Sequence, residues 1–586
     1  MYDDLYEKSQ KNYKFKDLLP LIASEANVLS AYRNIKKNKG SKTSGTNKRT
    51  IIDVGEENPK ALITYVKNRL LNYKPHAVRR FNIPKSNGKM RPLGIPTIED
   101  RLIQQCINQI LEPICEAKFH PHSYGFRPNR GTHHAIARVM GLINISKQHY
   151  VVDVDIKGFF DNVNHSKLLK QMWSLGIQDK NLLCVMRKLL KAEIKGEGIP
   201  SKGTPQGGVI SPLLSNIVLN ELDWWISNQW ETFETKRKYD SNHNKYRALK
   251  DSKSKLKEIY IVRYADDFKI LCRDYKTARV TFEATKKWLE ERLSLTVSPE
   301  KSKVVNLKKN YSEFLGIKMK VRDKAKKKVV ISHICDKATE RIFKTIKVRI
   351  RDVAKSPCVQ TVNKYNSTVL GMQNYYRVAT HVNKDFSNIA FLVKKKITNK
   401  TRQIGSNTGN KSKVFNKYYG KYNMKTIYIA KTALFPISGV VTKPPRLFAQ
   451  KACDYTVEGR KIIHERLNKQ SREMVEILLK NSIENESIEF NDNRISLFVG
   501  QAGKCAISNE VLSYQNMVTY RKKKLEIKEN DQYKNLIIVT KEIYALIQEK
   551  EEHKAKILLN KIRSKIISKK IDKLNKLRLN VGNCTI

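Results

Sequence analysis

The sequence lacks the features of a membrane, secreted or zinc-binding protein. No apolar stretch approaches the length of about 18 residues that a membrane-spanning helix needs. The nine cysteines are scattered and none forms a Cys-x-x-Cys pair, which excludes a disulfide framework and a structural zinc knuckle. With only 25 Gly and 17 Pro, long disordered linkers are not expected.

Acidic residues are also scarce. The chain has 56 Asp and Glu against 113 Lys and Arg, so its formal net charge is +57 over 586 residues. A charge of this size is self-repulsive unless a polyanion is near, and it predicts a nucleic-acid-binding protein. Residues 236–257 read as a basic insertion or loop. Residues 561–580 form either a basic amphipathic helix on nucleic acid or a solvated helix face.

Carboxylates occur in two short segments with strand composition. The run Val-Asp-Val-Asp-Ile carries Asp153 and Asp155 on one face, and a second apolar strand leads into Asp266 and Asp267 at the tip of a predicted hairpin. An Asp-Asp turn alone is usually structural. If the two strands lie side by side, Asp155 comes next to Asp266 and Asp267, and these three carboxylates repel one another unless divalent cations lie between them. Two hard cations about 4 Å apart support in-line phosphoryl transfer, and oxygen ligands favour Mg²⁺ over zinc.

These residues also resemble a known family. Tyr264-Ala-Asp-Asp and Asp155-Ile-Lys-Gly-Phe-Phe-Asp161 resemble motifs C and A of reverse transcriptases. More narrowly, the chain resembles the multifunctional reverse transcriptase/maturase encoded within group II introns. The other matching segments are Asn38–Thr43 in the N-terminal extension, Ile83–Pro96 and Ser123–Gly131 in the fingers, Lys202–Asn216 (motif B), Leu295–Lys303 (motif D), Glu313–Gly316 (motif E), and Tyr365–Asn366 with Gly371–Tyr376 in the thumb, called domain X.

The resemblance implies an α+β right-hand polymerase with fingers, palm and helical thumb, followed by C-terminal DNA-binding and degenerate endonuclease-like domains. The expected domains are an N-terminal extension (1–75), fingers and palm (76–320), thumb or domain X (325–420), a DNA-binding region (421–490) and a degenerate H-N-H endonuclease-like domain with a basic tail (491–586).

The resemblance also assigns the metal site. It implies that Asp155, Asp266 and Asp267 are catalytic and hold two Mg²⁺ ions, with the Ile156 carbonyl as a further ligand. Asp153 could be mistaken for the metal ligand, but the family motif places the ligand at Asp155, the aspartate before Ile-Lys-Gly-Phe-Phe.

Further roles in substrate and primer binding follow from the same resemblance. The expected substrate-binding residues are Lys85, Arg91, Phe160, Gln206 and Gly207, and the expected primer grip is Phe314, Leu315 and Gly316. One of Phe159 and Phe160 should be core, while the other crowds the ribose 2′-OH. Lys301 or Lys303 either protonates the leaving pyrophosphate or is an ordinary surface lysine. Tyr375 and Tyr376 either stack on bases or pack in the thumb core.

The C-terminal segment departs from the family. Gly500–Ser508 and Tyr533–Val539 resemble the H-N-H scaffold, and Asn535 survives, but Cys505 is alone and no histidine occurs between Cys505 and His553. Because the nuclease needs a histidine general base and a metal ligand, we expect no endonuclease activity. DNA binding through lysines stays open.

The expected function is RNA-directed DNA polymerisation together with binding of the host group II intron RNA for splicing and retrohoming. An RNA template, a DNA primer and target DNA are the other expected partners, a membrane is not, and the oligomeric state stays open. The alternatives are an RNA-binding maturase with vestigial polymerase activity and a reverse transcriptase of another lineage, such as a retron. The acidic start, MYDDLYE, resembles neither a signal nor a transit peptide, so we expect action in the bacterial cytoplasm at the nucleoid, or in an organelle.

Overall fold

The computed structural model describes residues 1–84, 88, 90–205, 207–251, 256–325, 327–463, 469–523, 525, 527–562 and 570–586. The protein contains both helices and short strands, so it is α+β, as predicted. No helix in the described ranges has the length and apolar character needed to cross a bilayer.

The elements are numbered in chain order. The first are α1 Tyr2–Gln10, α2 Leu19–Ile22, α3 Glu25–Lys37, α4 Ile51–Gly55, α5 Pro59–Leu71, β1 Arg79–Pro84, β2 Met90–Ile95, α6 Ile98–Glu116, α7 Thr132–Asn144, β3 Tyr150–Val154, α8 Phe159–Asn162, α9 His165–Ser174, α10 Lys180–Leu190 and α11 Ser211–Ser227. The middle ones are α12 Asn242–Asp251, β4 Ile259–Tyr264, β5 Asp267–Cys272, α13 Tyr275–Leu293, β6 Lys303–Asn306, β7 Ser312–Phe314, β8 Ile317–Lys324, β9 Lys327–Ile334, α14 Asp336–Lys355, α15 Val359–Tyr376 and α16 Val382–Thr401. The last are α17 Lys413–Tyr419, β10 Tyr428–Ile429, β11 Thr432–Ala433, α18 Val457–Ile463, α19 Lys469–Lys480, α20 Ile488–Gly500, β12 Met517–Arg521, α21 Ile527–Asn530, a short 3-10 helix Tyr533–Asn535, β13 Leu536–Thr540, α22 Lys541–Gln548, α23 Glu552–Ile562 and α24 Ile571–Leu579.

The chain forms two compact units. The first unit contains residues 1–119, 160–218 and 451–586, and the second contains residues 120–159 and 219–450. The first unit is centred on α6, which packs against α1, α2 and α3. Its C-terminal part has its own apolar core, in which Ile507, Ile538 and Ile547 are fully buried.

The second unit is built on a four-stranded antiparallel sheet in the order β4-β5-β3-β6. Valine and isoleucine fill β3 and β4, which explains why these short runs form buried strands. Helices α7 and α13 pack on this sheet. A three-stranded sheet, β7-β8-β9, leads into α14, α15 and α16. Helix α14 buries a stripe of apolar residues, among them Ile342, Ile346 and Ile350 at four-residue spacing.

The loop prediction for residues 236–257 is wrong over α12. Leu249 is buried and the Tyr246 ring stacks on Trp230 at 5.8 Å between ring centroids. Since Tyr246 and Leu249 lie three positions apart, one helical turn brings both to the face that packs on the protein. Residues 252–255 lie outside the described residues.

The helical prediction for residues 325–420 is wrong at its start. Residues 327–334 form β9, which pairs with β8 along its full length, and the helical part begins at Asp336. The run Val329-Val330-Ile331 favours a strand because its branched side chains suit a pleated surface. The predicted boundary between 320 and 325 therefore falls inside a β-hairpin, and Lys326 lies outside the described residues.

Two C-terminal helix predictions are only partly described. The run from Arg460 to Leu479 has a helix-like sequence pattern, and it contains parts of α18 and α19; residues 464–468 lie outside the described residues. Within the basic segment 561–580, α23 ends at Ile562 and α24 begins at Ile571. Residues 563–569 lie outside the described residues.

Candidate active site

The two acidic segments meet on the central sheet of the second unit. Strands β4 and β5 pair with Tyr264 opposite Asp267, so Ala265 and Asp266 form the turn of a tight hairpin. Strand β3 lies beside β5, with Val154 opposite Phe268. Asp155 therefore follows the end of β3 next to the hairpin turn, and the predicted hairpin and strand neighbourhood are confirmed.

Asp155 is held by the segment that precedes β6. Its backbone N–H donates to Ser302 Oγ at 3.0 Å, and its carbonyl accepts from the Ser298 N–H at 2.8 Å. The Lys301 ammonium lies 3.0 Å from its carboxylate, and 43% of the Asp155 side chain is exposed. Ile156 forms an isolated bridge with Val297, and its side chain is buried. The structure thus fixes the backbone at Asp155 and leaves its carboxylate accessible.

Asp267 lies in a field of like charges. Partial burial raises the pKa of Asp267 to about 6; the Lys269 ammonium opposes this rise, and the negative charges of Asp153, Asp266 and Asp155 add to it. Carboxylates gathered in this way repel one another and favour a cation between them. All four side chains offer only oxygen donors, which suits a hard divalent ion.

Asp153 points to a different partner. It lies opposite Lys269 in the β3–β5 register, and its carboxylate is 3.1 Å from the Lys269 ammonium. Ser312 Oγ donates to both of its carboxylate oxygens at 3.0 Å. The Lys269 ammonium also lies 5.6 Å from the centre of the Phe314 ring. Asp153 therefore stabilises the sheet and links it to β7. No role was predicted for its partner Lys269.

The predicted primer-grip residues lie at the end of β7 and in the turn that leads to β8. Phe314 is buried, and Leu315 and Gly316 have positive φ angles of 52° and 80°. The Tyr375 hydroxyl donates to the Leu315 carbonyl at 3.1 Å. A Cβ at Gly316 would lie 3.3 Å from the Tyr376 ring. Helix α15 thus supports this turn, and of the two tyrosines Tyr376 is buried while Tyr375 is half-buried.

Three of the predicted nucleotide-binding residues lie in the first unit. The Thr204 N–H donates to the Phe160 carbonyl at 2.7 Å, which joins the loop 203–208 to α8. Gly207 has a φ of +116°, and a Cβ there would lie 2.5 Å from the Gly94 carbonyl of β2. Arg91 is an exposed residue of the same strand. The loop therefore contacts both the Phe160 segment and the strand of Arg91; Lys85 and Gln206 lie outside the described residues.

The two phenylalanines of motif A divide as predicted. Phe159 is buried at 2% exposure, whereas Phe160 is partly exposed. Phe159 therefore belongs to the core, and Phe160 is the more exposed of the two.

Asn535 of the C-terminal part serves the local backbone. Strand β12 pairs with β13, and α22 follows directly. The Asn535 side-chain amide donates to the carbonyls of Lys523 and Asn530 at 2.9 and 2.8 Å, and its oxygen accepts from the Lys523 N–H at 3.1 Å. Its amide therefore ties down the loop between the two strands.

No group of three His, Cys, Asp or Glu side chains within the described residues is arranged to hold a metal ion. The Asp155 carboxylate pairs with Lys301. The carboxylate oxygens still fit a divalent cation. The ion pair with Lys301 is a weak obstacle, because 66% of the Lys301 side chain and 43% of the Asp155 side chain are exposed.

Comparison with known proteins identifies the family. Residues 83–319 match the reverse transcriptase (RNA-dependent DNA polymerase) family. The group II intron-encoded protein LtrA of Lactococcus lactis is 31% identical over 419 residues, which cover 60% of this chain and 69% of LtrA. The chain belongs to the group II intron-encoded reverse transcriptase/maturase family. It is an RNA-directed DNA polymerase, an enzyme class that uses divalent metal ions and binds nucleic acids.

Two other relatives extend the comparison. Protein YkfC of Escherichia coli is 36% identical over 257 residues, which cover 42% of this chain and 67% of YkfC. The mitochondrial nuclear intron maturase 1 of Arabidopsis thaliana is 24% identical over 215 residues, covering 27% of this chain and 30% of the maturase. The matched residues 83–319 of this reverse transcriptase include Asp266 and Asp267 and the turn at Leu315 and Gly316.

Proposed function

We propose that DNA synthesis takes place at Asp155, Asp266 and Asp267, which hold two Mg²⁺ ions together with the Ile156 carbonyl. The observation that carries this proposal is the register of the central sheet, which puts the end of β3 beside the β4–β5 turn. The bound ions would activate the primer 3′-hydroxyl and stabilise the leaving pyrophosphate. Asp155 must exchange its contact with Lys301 for this role.

Lys301 is the better candidate of the two lysines for proton donation to pyrophosphate. Its ammonium already lies 3.0 Å from the Asp155 carboxylate, so a movement of the flexible side chain keeps it near the reacting phosphates. Lys303, in contrast, lies in β6 opposite Asp153. Lys301 therefore protonates the leaving group in our account.

The remaining substrate contacts are assigned by role. Phe160 excludes a ribose 2′-OH, Lys85 and Arg91 bind the triphosphate, and Gln206 with Gly207 contacts the nascent base pair. Phe314, Leu315 and Gly316 hold the primer end. Support comes from the partly exposed Phe160 ring and from the loop 203–208, whose glycines permit close backbone approach.

The RNA partner in this proposal is the host group II intron, whose splicing and retrohoming the protein promotes. The net charge of +57 and the name of the relative LtrA support it. Its basic surfaces bind RNA through backbone and shape, as suits structured RNA. Target DNA is bound by the region 421–490. The region 491–586 does not cleave it, because it lacks the histidines of an H-N-H nuclease. The protein acts at the bacterial nucleoid or in an organelle.

Primer extension on poly(rA)/oligo(dT) with Mg²⁺ tests the site. We expect Asp155→Asn and Asp266→Asn each to lower the rate at least about 100-fold, since each removes a charge that would hold a metal ion at the reacting phosphate. Binding of intron RNA should stay within about twofold of wild type. Glu283→Gln, which removes an exposed carboxylate of α13, is the matched control and should remain active.

A splicing assay on the host intron, run beside primer extension, separates this proposal from the maturase alternative. Retained splicing with lost synthesis in Asp266→Asn supports both activities in one chain. Wild-type protein that promotes splicing but extends no primer would leave a maturase with vestigial polymerase activity. Substantial synthesis in both aspartate variants would refute the proposed metal site.

A further inference from the structure

The hairpin that carries Asp266 and Asp267 rests on a buried ion pair. Arg263, on β4, and Asp223, on α11, are both fully buried in the second unit. The guanidinium donates from Nε to Asp223 Oδ1 at 2.8 Å and from Nη2 to Oδ2 at 2.6 Å. Burying two charges costs free energy unless the geometry is good and the other polar groups are bonded. A pair of apolar side chains would fill the same space without this cost.

The third arm of the guanidinium reaches the catalytic turn. Arg263 Nη1 donates to the carbonyl of Ala265 at 2.8 Å. Ala265 has a φ of +57°, in the left-handed region that an alanine adopts only when surrounding contacts hold it there. The carbonyl that receives this bond belongs to the peptide unit that leads directly into Asp266.

The backbone around the pair is held from the other side. The Arg263 N–H donates to the His122 carbonyl at 3.1 Å, and its carbonyl accepts from the Tyr124 N–H at 2.9 Å. A Cβ at Gly125 would lie 2.2 Å from the Ala265 nitrogen, so this loop lies directly against the turn. The turn is thus enclosed between the loop 122–125 and the Arg263 side chain.

We propose that Arg263 and Asp223 are positioning residues for polymerisation, which set the conformation of the Ala265-Asp266 turn through the Ala265 carbonyl. This inference rests on the proposed role of Asp266. Only the planar fork of arginine can bind a carboxylate in two-point fashion and a carbonyl at once; a lysine reaches one or the other. The alternative is that the pair contributes to folding alone.

The test compares Arg263→Lys with a matched control. Arg138→Lys alters another arginine of the second unit, whose Nη2 lies 2.5 Å from Glu231 and which makes no described contact with the turn. The readouts are kcat and the dTTP KM on poly(rA)/oligo(dT), the Mg²⁺ concentration for half-maximal rate, Mn²⁺ binding followed by electron paramagnetic resonance, and the melting temperature.

For Arg263→Lys we expect kcat to fall at least about tenfold with a smaller change in KM, because a displaced turn misplaces reacting groups. The Mg²⁺ midpoint should rise and Mn²⁺ binding should weaken. Arg138→Lys should lower the melting temperature comparably while its kcat stays within about twofold of wild type. Asp223→Asn, which keeps the side-chain shape, should shift the same quantities in the same direction and serves if Arg263→Lys does not fold.

Values of kcat and of the Mg²⁺ and Mn²⁺ midpoints close to wild type in the folded variant would overturn the inference, as would an equal loss in Arg138→Lys. Asp266→Asn is run in the same assay. If it stays active, the proposed metal site fails; if it is inactive while Arg263→Lys is not, only the positioning role fails.

Discussion

At the scale of residues, two aspartates two positions apart have different environments. Asp153 is buried against Lys269, whereas Asp155 lies just beyond the end of β3 with an accessible carboxylate. The family motif predicted Asp155 as the ligand, and that assignment stays a prediction. The burial of Asp153 supports it, because a carboxylate already bonded to Lys269 and Ser312 has little capacity left for a metal.

Arg263 and Lys269 show what the sequence could not reveal. Each is one of 113 Lys and Arg residues in a chain whose surplus charge hides any single functional cation. The only local signal is position: both are charged residues inside otherwise apolar strands. A charge there must find a partner across the sheet, but sequence alone does not name Asp223 or Asp153 as that partner.

His120 makes the second unit sensitive to acid. Burial, and after it the charge of His122, lowers the pKa of His120 to about 3. The negative charge of Glu231 opposes this shift. Its Nδ1 accepts the His122 backbone N–H at 3.2 Å, a bond that a protonated ring cannot accept. Since the folded pKa lies below the unfolded value, this residue stabilises the fold fully above about pH 6.5 and progressively less as pH falls.

We therefore expect His120→Gln to weaken the pH dependence of stability. Between about pH 6.5 and pH 5, wild type should lose about 2 kcal/mol more unfolding free energy than the variant. Urea unfolding followed by circular dichroism at several pH values measures this difference. Parallel pH profiles of the two proteins would contradict the assigned role of His120.

At the scale of elements, α20 is joined to α3 by charged side chains within the first unit. Asp492 accepts from Arg33 at 3.0 Å and from Lys36 at 2.9 Å, and only 8% of its side chain is exposed. Lys36 also lies 2.8 Å from Glu489, which in turn accepts the Tyr32 hydroxyl. The C-terminal part thus stabilises the N-terminal extension, independently of any nuclease role.

Asp492→Asn should loosen α3. Because the substitution leaves two cations without their buried partner, we expect a loss of about 2 kcal/mol in the opening free energy of α3, measured by native-state hydrogen exchange. Glu484→Gln is the control, since its ion pair with Lys60 is exposed on both sides, and it should cost less than about 0.5 kcal/mol. Equal effects of the two substitutions would show that Asp492 adds nothing beyond a surface charge.

Elements with a strong local pattern could be predicted, and those that depend on distant partners could not. The β4–β5 hairpin and β3 follow from valine and isoleucine runs that end in turn residues. Strand β9 lies in a lysine-rich region whose character is set by its pairing with β8. Helix α12 owes its position to Tyr246 packing on Trp230, a contact that no local pattern contains.

At the scale of the whole molecule, sequence order and spatial packing differ. The first unit is assembled from three separate segments, residues 1–119, 160–218 and 451–586. A reading along the chain gives consecutive domains, whereas packing joins the N-terminal extension to the C-terminal part within one unit. The net charge is informative at this scale alone. It predicts a nucleic-acid partner, but it does not indicate which residues form the active site.

The most direct test of the account is to locate the metal. Crystals of the protein with an RNA template, a chain-terminated DNA primer and the next dNTP, soaked in Mn²⁺, would give anomalous difference peaks at bound ions. The account predicts two peaks about 4 Å apart, ligated by Asp155 and Asp266. No peak at these carboxylates, or a peak held by Asp153, would contradict it.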